Sequence, residues 1–425
     1  MKPSLETFNA IDESPAFKDS LTGRPSHEKS FGLRGGRQFA IRCKRAMETE
    51  TIPHAASAAR PRGRFAAAYR VLNDAIAAHA FPGCAFGVLA GGEIVLQDAL
   101  GRFTYDQAAS AVCADTVYDV ASLTKVVATT AAAMLLCQRA LLDLDTPLGE
   151  LLPGFVVGRA PDGRARHVKL RHLLAHNSGL PGYVEFFRTA ATPAALFRAC
   201  LELPLEAEPG TRAEYSDPGF ILLGKALEVC TREYLATWVR REIFQPLGLA
   251  ATCFCPAPAA RLSIPPTEED ATLRHRRIQG EVQDEHAWLL KGAGGHAGLF
   301  SNVPDLLRFA REILNARPGS ELQTGKPGLF DPATVRVFAQ RQGPEGSSWA
   351  LGWDTPSENS LSGRHFSPRS IGHLGFSGCS LWIDLEAEIA VALLSNRTWP
   401  DRPAAAVQLV REVRPAFHNA VREAL

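Results

Sequence analysis

The strand-forming segments of this chain stand at its two ends, with the larger part of the sequence between them, and a fold must bring those ends together. Residues 84–90 and 93–100 are apolar and β-rich, and Gly91-Gly92 between them is the signal of a two-residue hairpin. Ahead of them Phe65, Ala68, Tyr69, Leu72 and Ile76 recur on one helical face, which Phe81-Pro82-Gly83 ends. Residues 380–383 and 389–394 are again strand-like, joined by the polar 384–388, and 402–417 carries helical spacing. The chain thus opens helix, strand, strand and closes strand, strand, helix. The economical solution is one antiparallel sheet built from both ends and flanked by the terminal helices. The Ala- and Leu-rich middle has helical candidates at 125–140, 193–203, 218–231, 233–244 and 304–315. The expected class is α+β, with a sheet lobe at about 63–121 and 345–425, a mostly helical lobe at about 122–344, and a site between them.

Residues 1–62 mix Ser, Pro, Gly and both charges without a sustained apolar period, which predicts a disordered extension, with Met47 an alternative start. No apolar run long enough for the core of a secretion signal precedes Arg64. No stretch reaches the roughly 18 apolar residues that span a bilayer, the nearest being 126–136. Lys and Arg (46) balance Asp and Glu (45), so no overall field favours nucleic acid or an anionic membrane surface. The nine cysteines lack zinc-ligand spacing and read as reduced thiols of a cytoplasmic protein. Nothing in the sequence indicates an oligomeric state.

Ser122-Leu123-Thr124-Lys125 leads into the helix former 126–136 and places Ser122 and Lys125 one turn apart on one face. A lysine whose pKa is lowered by burial and by the positive helix end can take the proton of a serine hydroxyl. The helix N-terminus also favours a developing oxyanion. The tetrapeptide alone is unspecific: Ser26-His27-Glu28-Lys29 repeats its spacing in the extension. Ser122 could equally cap the helix, with Lys125 solvated.

The context is more specific. Tyr118-Asp119-Val120-Ala121-Ser122-Leu123-Thr124-Lys125 resembles the active-site segment of the class C β-lactamase, D-Ala-D-Ala peptidase and family VIII esterase group. Leu173-Leu174-Ala175-His176-Asn177-Ser178-Gly179-Leu180-Pro181, Pro209-Gly210-Thr211-Arg212-Ala213-Glu214-Tyr215-Ser216-Asp217 and His373-Leu374-Gly375-Phe376-Ser377-Gly378 are similar to later segments of that group, in the group's order. The resemblance covers roughly residues 64–425. It implies a β-lactamase/DD-peptidase-like fold and an acyl-enzyme on Ser122. The substrate would be a small ester, amide or β-lactam, with no cofactor and no metal.

By the same resemblance Tyr215 is the second-motif tyrosine, a proton acceptor or relay. A phenol titrates near pH 10, so it needs a cation beside it, which Lys125 would supply. Which of the two removes the serine proton stays open. The family's Tyr-x-Asn reads Tyr215-Ser216-Asp217 here, and an ionised Asp217 cannot donate to a substrate amide carbonyl. The family's Lys-Thr-Gly reads His373-Leu374-Gly375, a His-x-Gly form found in its esterase and D-aminopeptidase branches. A partly charged His373 predicts carboxylate recognition that fades as pH rises. Lys326-Pro327-Gly328 and His296-Ala297-Gly298 compete for this place, but only His373 is followed by paired strands and a final helix. The backbone N–H groups of Ser122 and Phe376 map onto the oxyanion hole. Asp284, Glu285, His286 and His296 lie in a Gly-rich region. Without an i, i+4 pair on a helix they read as a pocket wall, with His296 a substrate contact and no metal. The resulting order is an esterase-like or broad hydrolase, then an amidase or peptidase on peptidoglycan fragments or D-amino-acid peptides, then an efficient β-lactamase. A penicillin-binding sensor that acylates without turnover is the alternative of a different class.

Overall fold

The computed structural model describes residues 63–157, 159, 163–317, 328–358 and 360–425. The expected extension at 1–62, its Ser26-x-x-Lys29 copy and Lys326-Pro327 lie outside these residues. Ten strands follow in chain order: β1 (Gly83–Ala90), β2 (Glu93–Gly101), β3 (Tyr118–Asp119), β4 (Cys253–Phe254), β5 (Pro266–Asp270), β6 (Arg276–Gln279), β7 (Leu299–Ser301), β8 (Ser370–Leu374), β9 (Ser380–Asp384) and β10 (Ile389–Ser395).

The two chain ends meet in one antiparallel sheet of order β2-β1-β10-β9-β8. β1 lies against β10 in continuous register from Cys84 opposite Ser395 to Ala90 opposite Ile389. The turn between β1 and β2 requires left-handed backbone, and Gly91 (φ +57°) and Gly92 (φ +81°) supply it without steric cost.

Side chains alternate across this sheet with period two. Phe86, Val88, Val391 and Leu393 face the helices Ala66–Ala77 and Ala404–Glu423, where Leu72, Phe417 and Val421 complete one apolar layer. Ala85, Leu89, Ala392 and Leu394 face the other way and join Leu306, Leu307 and Ala310 of the helix Val303–Asn315. Gly87 lets that helix approach: a Cβ there would lie 2.9 Å from Leu307 Cδ1.

Helices at Pro193–Glu202, Asp217–Thr231 and Val303–Asn315 match the sequence expectation closely. The middle is less uniformly helical than its composition implies. It holds a β5-β6 hairpin and a small β3-β7-β4 sheet. The helix expected from residue 125 changes geometry along its length, with a 3₁₀ turn at Ala121–Leu123, π turns at Lys125–Thr130 and α only at Ala131–Gln138. Contrary to the sequence reading, Ala121–Gln138 is long and apolar enough to cross a bilayer, with mean hydropathy 1.3, yet 83% of it is buried inside the fold. It is the central core segment.

Candidate active site

Ser122 follows a tightly constrained turn. β3 pairs with β7, and Val120 N donates to Leu299 O at 3.0 Å. Ala121 then takes φ +47°, a left-handed conformation that costs an alanine about 1–2 kcal/mol. Hydrogen bonds on both sides hold it there. Ala121 N donates to Asp119 Oδ1 (2.8 Å), and Thr124 Oγ1 donates to Ala121 O (2.6 Å) while accepting from Leu299 N (3.0 Å). The other Asp119 oxygen accepts from Gln283 N at 2.8 Å. Burial pushes the Asp119 carboxyl up to about 6, against the pull of these backbone donors. The turn leaves Ser122 half-buried above the core segment.

Lys125 is fully buried, and its ammonium is saturated. Nζ donates to Ser122 Oγ (3.1 Å), Asp217 Oδ1 (2.7 Å) and His296 O (3.0 Å). The centre of the Tyr215 ring lies 4.8 Å from Nζ, so the phenol and the ammonium share one buried site. This changes the electrostatics expected from sequence. Burial opposes the Lys125 charge, but the Asp217 carboxylate and the Tyr215 phenol outweigh it, and the ammonium pKa rises above its ordinary value. The Tyr215 phenol is also raised: burial outweighs the Lys125 charge, and Asp217 adds to the rise. The resting pair is therefore ammonium and phenol at neutral pH, not a lysine made acidic by its surroundings.

Asp217, read from sequence as a substrate contact, has its carboxylate on Lys125. It stands in the first turn of the helix Asp217–Thr231, which Ser216 caps by accepting from Gly219 N. His176, to which the sequence assigned no role, is the positioning residue for this segment. Its Nδ1 accepts from Ser216 N (3.0 Å), its backbone oxygen accepts from Glu214 N (2.7 Å), and its ring packs 4.5 Å from that of Tyr215. Only its place in the quoted Leu173–Pro181 run hinted at this.

His373 lies on β8, its ring centroid 5.8 Å from that of Tyr215. Nδ1 donates to Leu374 O at 2.8 Å, and Nε2 is buried with no partner among the described residues. Burial, reinforced by the Lys125 charge, pulls its pKa down to about 3. The expected partial charge near neutrality is therefore absent. Gly375 lies so close to the nucleophile turn that a Cβ would stand 2.5 Å from Val120 O. Ser377 Oγ donates to Asp119 O at 2.8 Å, and the intervening Phe376 is half exposed. His296 reaches Lys125 through its backbone oxygen, while its ring Nε2 bonds Asp284 Oδ1 at 2.8 Å. Asp284, His286 and His296, grouped with Glu285 in the sequence reading, thus come together, while Glu285 turns to Arg402.

Residues 68–413 match the family model described as Beta-lactamase. The chain belongs to that family. Curated relatives include a putative D-alanyl-D-alanine carboxypeptidase of Salmonella paratyphi B, 30% identical over 319 residues, covering 68% of this chain and 71% of the relative. Among solved structures, EstCE1, a hydrolase with promiscuous acyltransferase activity, superposes with TM-score 0.65 at 22% identity, over 84% of this chain and 99% of that one. Simvastatin synthase (LovD) from Aspergillus terreus gives TM-score 0.64 at 20% identity, over 86% and 98%. A penicillin-binding protein homologue from Caulobacter crescentus gives 0.64 at 19%, over 85% and 98%. This chain is accordingly a β-lactamase-family serine hydrolase with the family's α+β fold.

Proposed function

We propose that this β-lactamase-family hydrolase works through an acyl-enzyme on Ser122 and acts first on small esters. The observation that carries the reading is the 3.1 Å contact of Lys125 Nζ with Ser122 Oγ, with the centre of the Tyr215 ring 4.8 Å from the same ammonium. Once the Lys125–Tyr215 pair has lost a proton, it accepts that of Ser122 as Oγ attacks the substrate carbonyl. The backbone N–H groups of Ser122 and Phe376 hold the oxyanion. The pair returns the proton to the leaving group as the scissile bond breaks. Water, deprotonated by the same pair, then releases the acid and restores Ser122.

A neutral His373 and an Asp217 committed to Lys125 favour esters over acylamino β-lactams. Amide or peptide substrates related to peptidoglycan are the second reading, favoured by the relatives named as putative carboxypeptidases. A panel of short p-nitrophenyl esters, D-alanyl peptides and nitrocefin ranks the three classes. Ser122→Ala is expected to abolish turnover of the best substrate by at least about 1000-fold while the protein stays folded. Full activity in that variant removes Ser122 from the mechanism. A single acyl equivalent on Ser122 without further turnover would instead mark a sensor.

A further inference from the structure

The neutral His373 leaves the site without the cation that the third motif of this family carries, and a different buried cation stands beside that motif. Arg397 follows the end of β10 and is 4% exposed. Its guanidinium carbon stands 4.2 Å from the centre of the Phe376 ring, and its backbone N donates to Ser377 O at 2.9 Å. Its Nη1 is buried with no hydrogen-bond partner, and no acid forms an ion pair with it among the described residues. Three other guanidinium groups nearby or in the interior have hydrogen-bond partners. Arg274 meets Asp270 and the carbonyls of Val282 and Gln283, and Arg414 meets the carbonyls of Gly375 and Cys379. Arg402, on the same Phe376 ring at 5.9 Å, is held by Glu268 and Glu285. Arg414 Nε is also unmet, but the Arg414 guanidinium still meets two carbonyls, whereas among the described residues the Arg397 guanidinium meets neither a carbonyl nor an acid. Burial draws its pKa to about 10, so it remains charged at neutral pH.

Its position makes that charge relevant to Ser122. The Gly375–Gly378 turn is pinned to the nucleophile turn by the Ser377–Asp119 hydrogen bond and by the approach of Gly375 to Val120 O. Phe376, exposed on one side and backed by Arg397 on the other, links the open face to the buried cation. A guanidinium with unused donors in a poorly solvated setting is suited to a carboxylate, which it can bind by paired N–H bonds. We infer that Arg397, with Phe376 as its movable cover, is a carboxylate-recognition site for substrates at Ser122, in place of the third-motif cation. This rests on Ser122 being the nucleophile.

The test compares two thioesters with the same acyl group, one leaving as thioglycolate and the other as its neutral methylamide, with p-nitrophenyl butyrate as a third substrate. The wild-type protein is expected to favour the carboxylate by about 10-fold or more in kcat/KM, mainly through KM. Because a guanidinium does not titrate between pH 5.5 and 8, the preference should be flat there. Arg397→Gln should bring the ratio close to one, and Arg397→Lys should retain part of it. A wild-type ratio near one overturns the inference, and so does a ratio that survives Arg397→Gln. A ratio that falls with rising pH and disappears in His373→Gln assigns the role to His373 and equally overturns it. Should Arg397→Gln fail to fold, the wild-type ratio and the Arg397→Lys ratio decide. Unchanged butyrate hydrolysis in Ser122→Ala marks failure of the nucleophile reading itself, a result separate from loss of the Arg397 effect.

Discussion

Lys125 illustrates how far residue identity alone carries an argument about charge. Its spacing from Ser122 is legible in the sequence, because residues three apart on a helix are neighbours on one face. Its protonation is not, because the deciding carboxylate, Asp217, lies 92 residues away and meets it at 2.7 Å only after packing. The same holds for His373, whose charge is removed by burial that no local pattern records. Tyr215 was placed by its motif, but the His176 ring that braces it was not recognised, since a histidine in a loop has no signature for such a role. A prediction follows from the ion pair. Asp217 favours the ammonium form of Lys125, so the reactive pair must lose a proton as pH rises, and kcat/KM for an ester should increase along an alkaline-shifted limb. Asp217→Asn removes that anion, makes the ammonium easier to deprotonate, and should move the limb to lower pH by about one unit or more. The pH profile of p-nitrophenyl butyrate hydrolysis measures it. An unmoved limb would mean that Asp217 does not tune the pair.

At the level of elements, the paired strands of the chain ends were readable because short continuous apolar runs bounded by turn residues suit strands covered on both faces. The β5-β6 hairpin was not. Its strands carry Thr267-Glu268-Glu269-Asp270 and Arg276-Arg277-Ile278-Gln279, whose charges are met by partners such as Glu269 with Arg277 and Glu268 with Arg402. The changes of helical type around Ser122 were also invisible, since they follow from the turn at Ala121. Thr124 locks that turn, linking Ala121 O to Leu299 N through one buried hydroxyl. Thr124→Val keeps the shape and leaves both groups unmet, at a cost of about 1–3 kcal/mol. Thermal unfolding should register the loss, and ester kcat should fall further than stability explains because Ser122 loses its fixed position. Gly375→Ala acts on the facing element. The new methyl would press on Val120 O and separate the Phe376 turn from Ser122, so kcat should drop at least about 10-fold with a smaller change in stability. Equal activity in the variant would show that this close approach is dispensable.

Over the whole molecule, the pairing of β1 with β10 means that the sheet cannot close until the chain is nearly complete. That long-range pairing should make folding slow relative to a helical protein of similar size. It also stores several histidines in a neutral, dry interior. His176 is held well below its ordinary pKa, and burial draws His373 and His418 to about 3, with His418 fixed between Ser380 Oγ (3.2 Å) and Leu361 O (3.1 Å). Between pH 6.5 and about 3 the unfolded chain binds protons at these sites and the folded chain does not, so stability falls as pH is lowered through this window. Each site contributes a slope of up to about 1.4 kcal/mol per pH unit. Asp119 acts in the opposite sense between about 6 and 3.8, where the folded chain takes up a proton that the unfolded chain does not. Glu285 and Asp354, also raised by burial, act with Asp119, but His172, drawn to about 4, and His286, also lowered, join the three histidines named, so among the described residues five sites oppose three. The midpoint of thermal unfolding should therefore fall steadily from pH 6.5 to 4.5, and His418→Gln, neutral at every pH, should reduce the slope. A midpoint that is flat over this range, or a slope unchanged in the variant, would mean that buried neutral histidines do not set the acid limit of the fold.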